Sequence, residues 1–213
     1  LGVLGATAAA AALWPAASKK SFLIMGPRLS GKTTLSEFLA HGVVPKEYVA
    51  TGGTRRVEPT SDIGLGGLKL KIEKLWDAGG EAEAIRAWHD KAKVADVLVY
   101  LVNFMQAADE EYVARVRRDT RQLRDWRRQE ELKEGCHVAL VVTHMDQHEL
   151  FRGEVGPDWA ADADHVARTA PAIMAATEEM GPRCTLLAGS LADEAGCADI
   201  AFRLLTALEA EPA

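Results

Sequence analysis

Hydrophobic positions along the chain fall into two alternating kinds of segment. Four short apolar runs, at 21–25, 96–102, 137–142 and 184–187, are too brief for stable helices and predict strands buried on both faces. Between them apolar residues recur at helical spacing: Leu35, Phe38 and Leu39 within 32–41, then stretches at 81–92, 108–133, 159–180 and 191–208. Residues 68–76 instead alternate apolar and polar, which predicts a strand with one covered face at or near a sheet edge. Residues 43–67 hold many Gly, Pro and Thr and no strong period, so they read as a long loop with at most short strands. Strands separated by helices imply an α/β fold of three layers: a mostly parallel six-stranded sheet with helices on both faces. A chain of 213 residues suits one such domain, at 21–213, preceded by an apolar segment at 1–20.

Charge narrows the function classes. The net charge of −6 argues against a nucleic-acid binder, which needs a basic face. The basic residues between Arg115 and Glu134 are interleaved with Asp119, Asp125, Glu130, Glu131 and Glu134, as on a solvated helix with local ion pairs. Cys136, Cys184 and Cys197 are scattered without ligand spacing and read as reduced thiols in a cytosolic setting. His144 and His148 sit four apart with no third ligand evident, so they are not read as a metal site.

The strongest chemical signal is Gly26-Pro27-Arg28-Leu29-Ser30-Gly31-Lys32-Thr33, a GxxxxGK[ST] motif between a predicted strand and a predicted helix. Such a turn points successive main-chain amides at phosphate oxygens, and the helix opening at Lys32 and continuing through Thr34 adds its positive end. In this P-loop, Gly26, Arg28, Leu29, Ser30, Gly31, Lys32, Thr33 and Thr34 are the expected nucleotide contacts. Lys32 reaches the β- and γ-phosphates, and the Thr33 hydroxyl ligates Mg²⁺. At the base, Thr143-His144-Met145-Asp146 follows the run at 137–142. A carboxylate there accepts two hydrogen bonds from guanine N1–H and its exocyclic amine, and adenine would leave it unpaired.

Leu75-Trp76-Asp77-Ala78-Gly79-Gly80-Glu81 contains WDxGG, which resembles the Arf, Rag and signal-recognition-particle receptor β group of small GTPases. Ile85-Arg86-Ala87-Trp88 looks like the Arf-type helix after that motif, and Thr143–Asp146 and Gly189-Ser190-Leu191 look like the Rag base-binding segments. The resemblance runs from residue 21 to about 208 and implies a P-loop NTPase G-domain that binds GTP or GDP with Mg²⁺. Carried over residue by residue, Asp77 holds Mg²⁺, Thr60 ligates it only with the γ-phosphate present, and the Gly80 amide meets that phosphate. Gly189, Ser190 and Leu191 would supply amide contact to guanine O6. Lys32, Thr60 and Glu81 are the candidate catalytic residues.

Departures from the family pattern bear on activity. Glu81 stands where the family uses a water-orienting glutamine, which predicts slow unaided hydrolysis. Thr143 and His144 replace Asn and Lys of NKxD. Arg28 and Leu29 occupy positions that are often small, and Arg55 and Arg56, in the loop at 43–67, could serve as a finger in cis. Residues 1–17 are apolar and Ala-rich, end near Pro15 and precede Lys19 and Lys20. As helix they would span about 26 Å, against a hydrocarbon core of about 30 Å. They read either as part of a membrane anchor, with the domain on the cytoplasmic side, or as a helix packed on the domain. A secretory signal conflicts with a need for GTP. Two functions are consistent with these features: a slowly hydrolysing cytoplasmic switch that meets an effector through residues 43–66 and 77–92, or a membrane-held, GTP-dependent binding subunit. A third reading is a P-loop ATPase or kinase with a fortuitous Thr143–Asp146; a kinase of nucleotides or small molecules would need a lid and an acceptor site, and the sequence offers no Arg-rich lid.

Overall fold

The computed structural model describes residues 19–46, 54–59, 63–65, 68–70, 72–80, 85–152 and 158–210. Its centre is strand β1 (Lys20–Met25), buried almost throughout. Strand β5 (Ile72–Ala78) lies parallel on one side of it and β6 (Val97–Asn103) parallel on the other. β7 (His137–Thr143) and β8 (Thr185–Ala188) extend the sheet beyond β6, also parallel. β2 (Thr54–Val57) closes the other edge, antiparallel to β5. The spatial order is β2-β5-β1-β6-β7-β8, the mostly parallel six-stranded sheet expected.

Alternate residues of each buried strand feed opposite cores, which is why those strands lack a polar face. Leu23, Leu98, Tyr100 and Leu140 pack on the side of α2 (Ile85–Ala92), α3 (Glu110–Arg128) and α5 (Pro171–Met180). Phe22, Ile24, Val99, Leu101 and Val141 pack on the side of α1 (Lys32–His41) and α6 (Glu194–Ala210). Each large aliphatic or aromatic side chain buried this way stabilises the fold by about 1.5–3 kcal/mol.

Three boundaries differ from the sequence pattern. The stretch 68–76 is not one strand: β4 (Leu68–Leu70) pairs with β3 (Ile63–Leu65) in a separate two-stranded ribbon, and β5 joins the main sheet. In β5 the alternation does not hold: the adjacent Glu73 and Lys74 are both exposed, and the end from Leu75 to Ala78 is buried. The stretch 159–180 is two helices, α4 (Trp159–Ala167) and α5. Pro171 has no N–H to continue a helix and holds Ala170 extended, at φ −78 and ψ 137. α3 stops at Arg128, and Glu130 follows in the left-handed region at φ 57. Of the helix expected at 81–92, residues 81–84 lie outside the described part. So do residues 1–18, on which the anchor or packed-helix expectation falls. Among the described residues no helix is long and apolar enough to cross a membrane.

Candidate functional site

Strand register brings the carboxyl ends of the parallel strands to one rim. Ile24 pairs with Asp77, Met25 with Tyr100, Asn103 with Thr143, and Val142 with Ala188. Chain order reverses at β1, which sits between β5 and β6, so the crevice beyond its end is where ligands gather in open α/β sheets.

The loop from Gly26 to Gly31 fills that crevice. Gly26 has φ +142, and a Cβ there would fall 2.3 Å from the Leu101 carbonyl oxygen, so only glycine lets β1 turn this close to β6. Leu29 at φ 58 and Gly31 at φ 85 are both left-handed, with Ser30 between them, which curls the main chain into a concave nest. Neighbouring side chains hold its carbonyl groups. Asn103 Nδ2 donates to Leu29 O at 3.1 Å, and Thr143 Oγ1 donates to Ser30 O at 3.1 Å. Ser30 Oγ donates to Pro27 O at 2.9 Å. Lys32 is 7% exposed and its Nζ donates to Pro27 O at 2.6 Å, so the ammonium lies over the loop. The Arg28 side chain is exposed.

The WDxGG segment meets the loop from β5. Thr33 Oγ1 donates to Asp77 Oδ2 at 2.9 Å, which joins the two described residues expected to ligate a metal. Both offer hard oxygen donors, as Mg²⁺ requires. Arg55, on β2 opposite Asp77, reaches Glu37 at 2.5 Å and lies 3.8 Å from Asp77 Oδ2. A Cβ on Gly80 would fall 2.6 Å from the Arg28 amide nitrogen and 2.7 Å from Lys32 Nζ, so a side chain there would fill the cradle. Trp88, fully buried, donates from Nε1 to Gly79 O at 3.1 Å and packs edge-on against Tyr100. Tyr100 OH and Arg115 Nε both donate to the buried Asp119, at 3.0 and 2.6 Å. Burial raises the Asp119 carboxyl above its ordinary value even against Arg115. The Gly79 peptide is thereby braced by Trp88 against β6 and α3. Thr60 and Glu81 lie outside the described residues.

The base side is built from two loops. His144 is left-handed at φ 64, and its Nδ1 lies 2.8 Å from Thr143 Oγ1. Burial lowers the His144 pKa, and Asp146 acts in the other direction without reversing it. Asp146 is half-buried in the short turn Met145–Gln147. The amide of fully buried Met145 donates to Gly189 O at 3.2 Å, and Gly189 N donates to Val142 O at 2.9 Å, so the two loops form one unit. A Cβ on Gly31 would fall 2.8 Å from Leu191 Cδ1 and 3.8 Å from Thr143 Cγ2. The phosphate loop and the base loops are therefore packed against each other.

Two residues here had no role assigned from sequence. Asn103 ties the phosphate loop, accepts from Met105 N at its side chain and donates from its main-chain amide to the Tyr112 hydroxyl. Its one signal is a polar residue ending an apolar run. Trp88 was legible only as part of the segment that looks like the Arf-type helix. A cavity of about 1020 Å³ opens elsewhere, lined by Arg127, Lys133, Cys136, His137 and Arg183 at the opposite end of β7. Its thiol is a poor nucleophile, since burial pushes Cys136 up to about 12. None of the expected site residues lines it.

The family model described as Arf, the ADP-ribosylation factor family, matches residues 7–152. Intraflagellar transport protein 22 of Trypanosoma brucei brucei is 34% identical over 91 residues, which is 38% of this chain and 42% of that protein. The intraflagellar transport protein 22 homolog of Homo sapiens is 35% identical over 88 residues, 40% of this chain and 47% of that protein. The match thus spans less than half the length of these relatives. Among solved structures, the Arl6 BBS3 small GTPase of Trypanosoma brucei with bound GppNp superposes with TM-score 0.58 at 18% identity, covering 91% of this chain and 100% of the other. That likeness shows the fold.

Proposed function

Because the chain belongs to the ADP-ribosylation factor family of small GTPases, we propose that it is a slow GTP-hydrolysing switch with its nucleotide in the crevice between Lys32 and Asp146. The observation that carries this reading is the contact of the two half-sites through Thr143 and Ser30, 3.1 Å apart. A purine against Asp146 then has its phosphates over the amides of residues 26–34.

Thr33 and Asp77 hold Mg²⁺ in this reading, and Thr60 joins them when a γ-phosphate is present. Bound there, the ion supplies positive charge to the β- and γ-phosphates. Lys32 adds its ammonium, and Gly80 leaves room for an amide contact that depends on the γ-phosphate. GTP then orders residues 43–66 and 77–92 for an effector, and hydrolysis releases them. The names of the relatives support an effector that belongs to intraflagellar transport. Titration with labelled GTP, GDP and ATP tests the base assignment. Tight guanine binding, weakened about 100-fold or more by Asp146→Asn, is expected. Equal binding of ATP and GTP would refute the assignment.

Glu81 brings a negative charge towards the γ-phosphate where glutamine would be neutral. Single-turnover hydrolysis by Glu81→Gln is therefore expected to be faster than by the native protein, and equal rates would remove Glu81 from the explanation. Glu81 and the apolar residues 1–17 also favour a second reading, a GTP-dependent binding subunit on the cytoplasmic face of a membrane. The nucleotide retained on purification separates the two: GTP supports the binding subunit and GDP the switch.

A further inference from the structure

We propose that the ion pair between Asp164 of α4 and Arg203 of α6 is a positioning device for base selection, holding residues 189–191 where a guanine O6 would meet their amides. The inference rests on the guanine-nucleotide reading above and adds two residues to it.

β8 is the edge of the sheet, and an edge strand leaves main-chain groups without a neighbouring strand. At Ala188, the last residue of β8, side chains take the place of that neighbour. Asp164 Oδ1 accepts from the Ala188 amide at 2.6 Å, and Arg203 Nη1 donates to the Ala188 carbonyl at 2.9 Å. The two side chains are joined to each other, with Arg203 Nη2 at 2.7 Å from both Asp164 oxygens. Arg203 is 18% exposed and Asp164 25% exposed, so solvent screens the pair only in part. Charge-assisted bonds of this length are stronger than the amide pairs they replace.

Directly after Ala188 comes the segment expected at guanine O6. It turns against α6 with no slack: a Cβ on Gly189 would fall 2.6 Å from Ile200 Cδ1, and one on Gly196 would fall 2.5 Å from Ser190 O. The far side of Gly189 is bonded to Val142 and Met145. Residues 189–191 are thus suspended between the Asp146 loop and α6, and the hinge at Ala188 is fixed by the ion pair. Both side chains bond the main chain of Ala188, so the pair acts through the loop. Asp199, also 3.2 Å from Arg203 Nη1 but 44% exposed, touches no main-chain group of the loop and serves as the control.

The test uses the full chain with Asp164→Asn, Arg203→Met, Arg203→Lys and Asp199→Asn, measuring displacement of N-methylanthraniloyl-GDP by GDP and by ADP. For Asp164→Asn and Arg203→Met, GDP affinity is expected to fall roughly tenfold while ADP affinity is unchanged, so the GDP-to-ADP ratio falls by the same factor. Arg203→Lys keeps a donor for the Ala188 carbonyl and should recover part of the ratio, and Asp199→Asn should keep all of it. Amide hydrogen exchange at residues 190–192 should quicken in the first two variants and in neither of the others. An unchanged ratio, or equal losses for GDP and ADP with a lowered melting temperature, would overturn the proposal. If the native protein itself fails to prefer GDP, the guanine reading falls, and exchange at residues 190–192 still decides whether the pair holds the loop.

Discussion

The two ends of the crevice are built on different principles. The phosphate end is main chain: Gly26, Leu29 and Gly31 shape it, and Gly80 lies too close to the Arg28 amide and Lys32 Nζ for any side chain. The base end adds side chains at 143–146 to the amides expected of 189–191, on two loops far apart in sequence that are held by bonds from Met145, Gly189 and the helices behind them. Main-chain recognition needs small residues at fixed spacing, so it leaves a sharp motif. Side-chain recognition needs only a group of the right polarity at the right place. Thr143 illustrates this tolerance, bonding the Ser30 carbonyl from a position where the family pattern has Asn.

The sharpest way to break this contrast is Gly26→Ala. Its Cβ cannot coexist with the Leu101 carbonyl, and the backbone conformation is one that L residues avoid. Destabilisation of at least about 3 kcal/mol is expected, lowering the melting temperature by about 6–12 °C and releasing bound nucleotide. A melting temperature within about 2 °C of native would show that the main-chain end is not sterically determined.

A smaller effect should come from Asn103→Ala, which removes one side-chain bond to the phosphate loop and one to Met105 N. At about 1 kcal/mol for each bond, GDP and GTP should both bind about fivefold to thirtyfold more weakly. Guanine preference should not change, because Asn103 grips the phosphate end alone. Isothermal titration with GDP, GTP and IDP checks this, and a selective loss for one base would dissolve the division into two ends.

The smallest effect belongs to His144. Burial holds its folded pKa below the ordinary 6.5, so above that value the ring is neutral in both the folded and the unfolded chain. As pH falls below 6.5 the unfolded chain takes up the proton first, and stability is lost until the folded pKa is passed. Thermal melts between pH 7.5 and 5.5 should therefore show a steeper loss for the native protein than for His144→Gln. Parallel losses would mean that the imidazole is not desolvated.

Much of the fold was legible in the chain because its strands are buried on both faces and its helices are not. The apolar runs that became β1, β6, β7 and β8 were placed within a residue or so of their observed ends. Boundaries failed where a local rule was overridden or overlooked. The alternation at 68–76 hid a break between two sheets, and Pro171 divided what helical spacing alone had joined.

At the site, local motifs nominated Gly26, Lys32, Thr33 and Asp146, and the resemblance of the WDxGG segment to the Arf group nominated Asp77 and Gly80. Local sequence also implied a phosphate-binding loop, since a turn between strand and helix with glycine at both ends has few other uses. Only the tertiary structure brought Leu191 and Thr143 against the phosphate loop, because that depends on strand order and register. It alone gave Asn103, Trp88, Asp164 and Arg203 their places. A side chain that braces a loop from another element carries no spacing rule, and its partner is chosen by packing across the sheet.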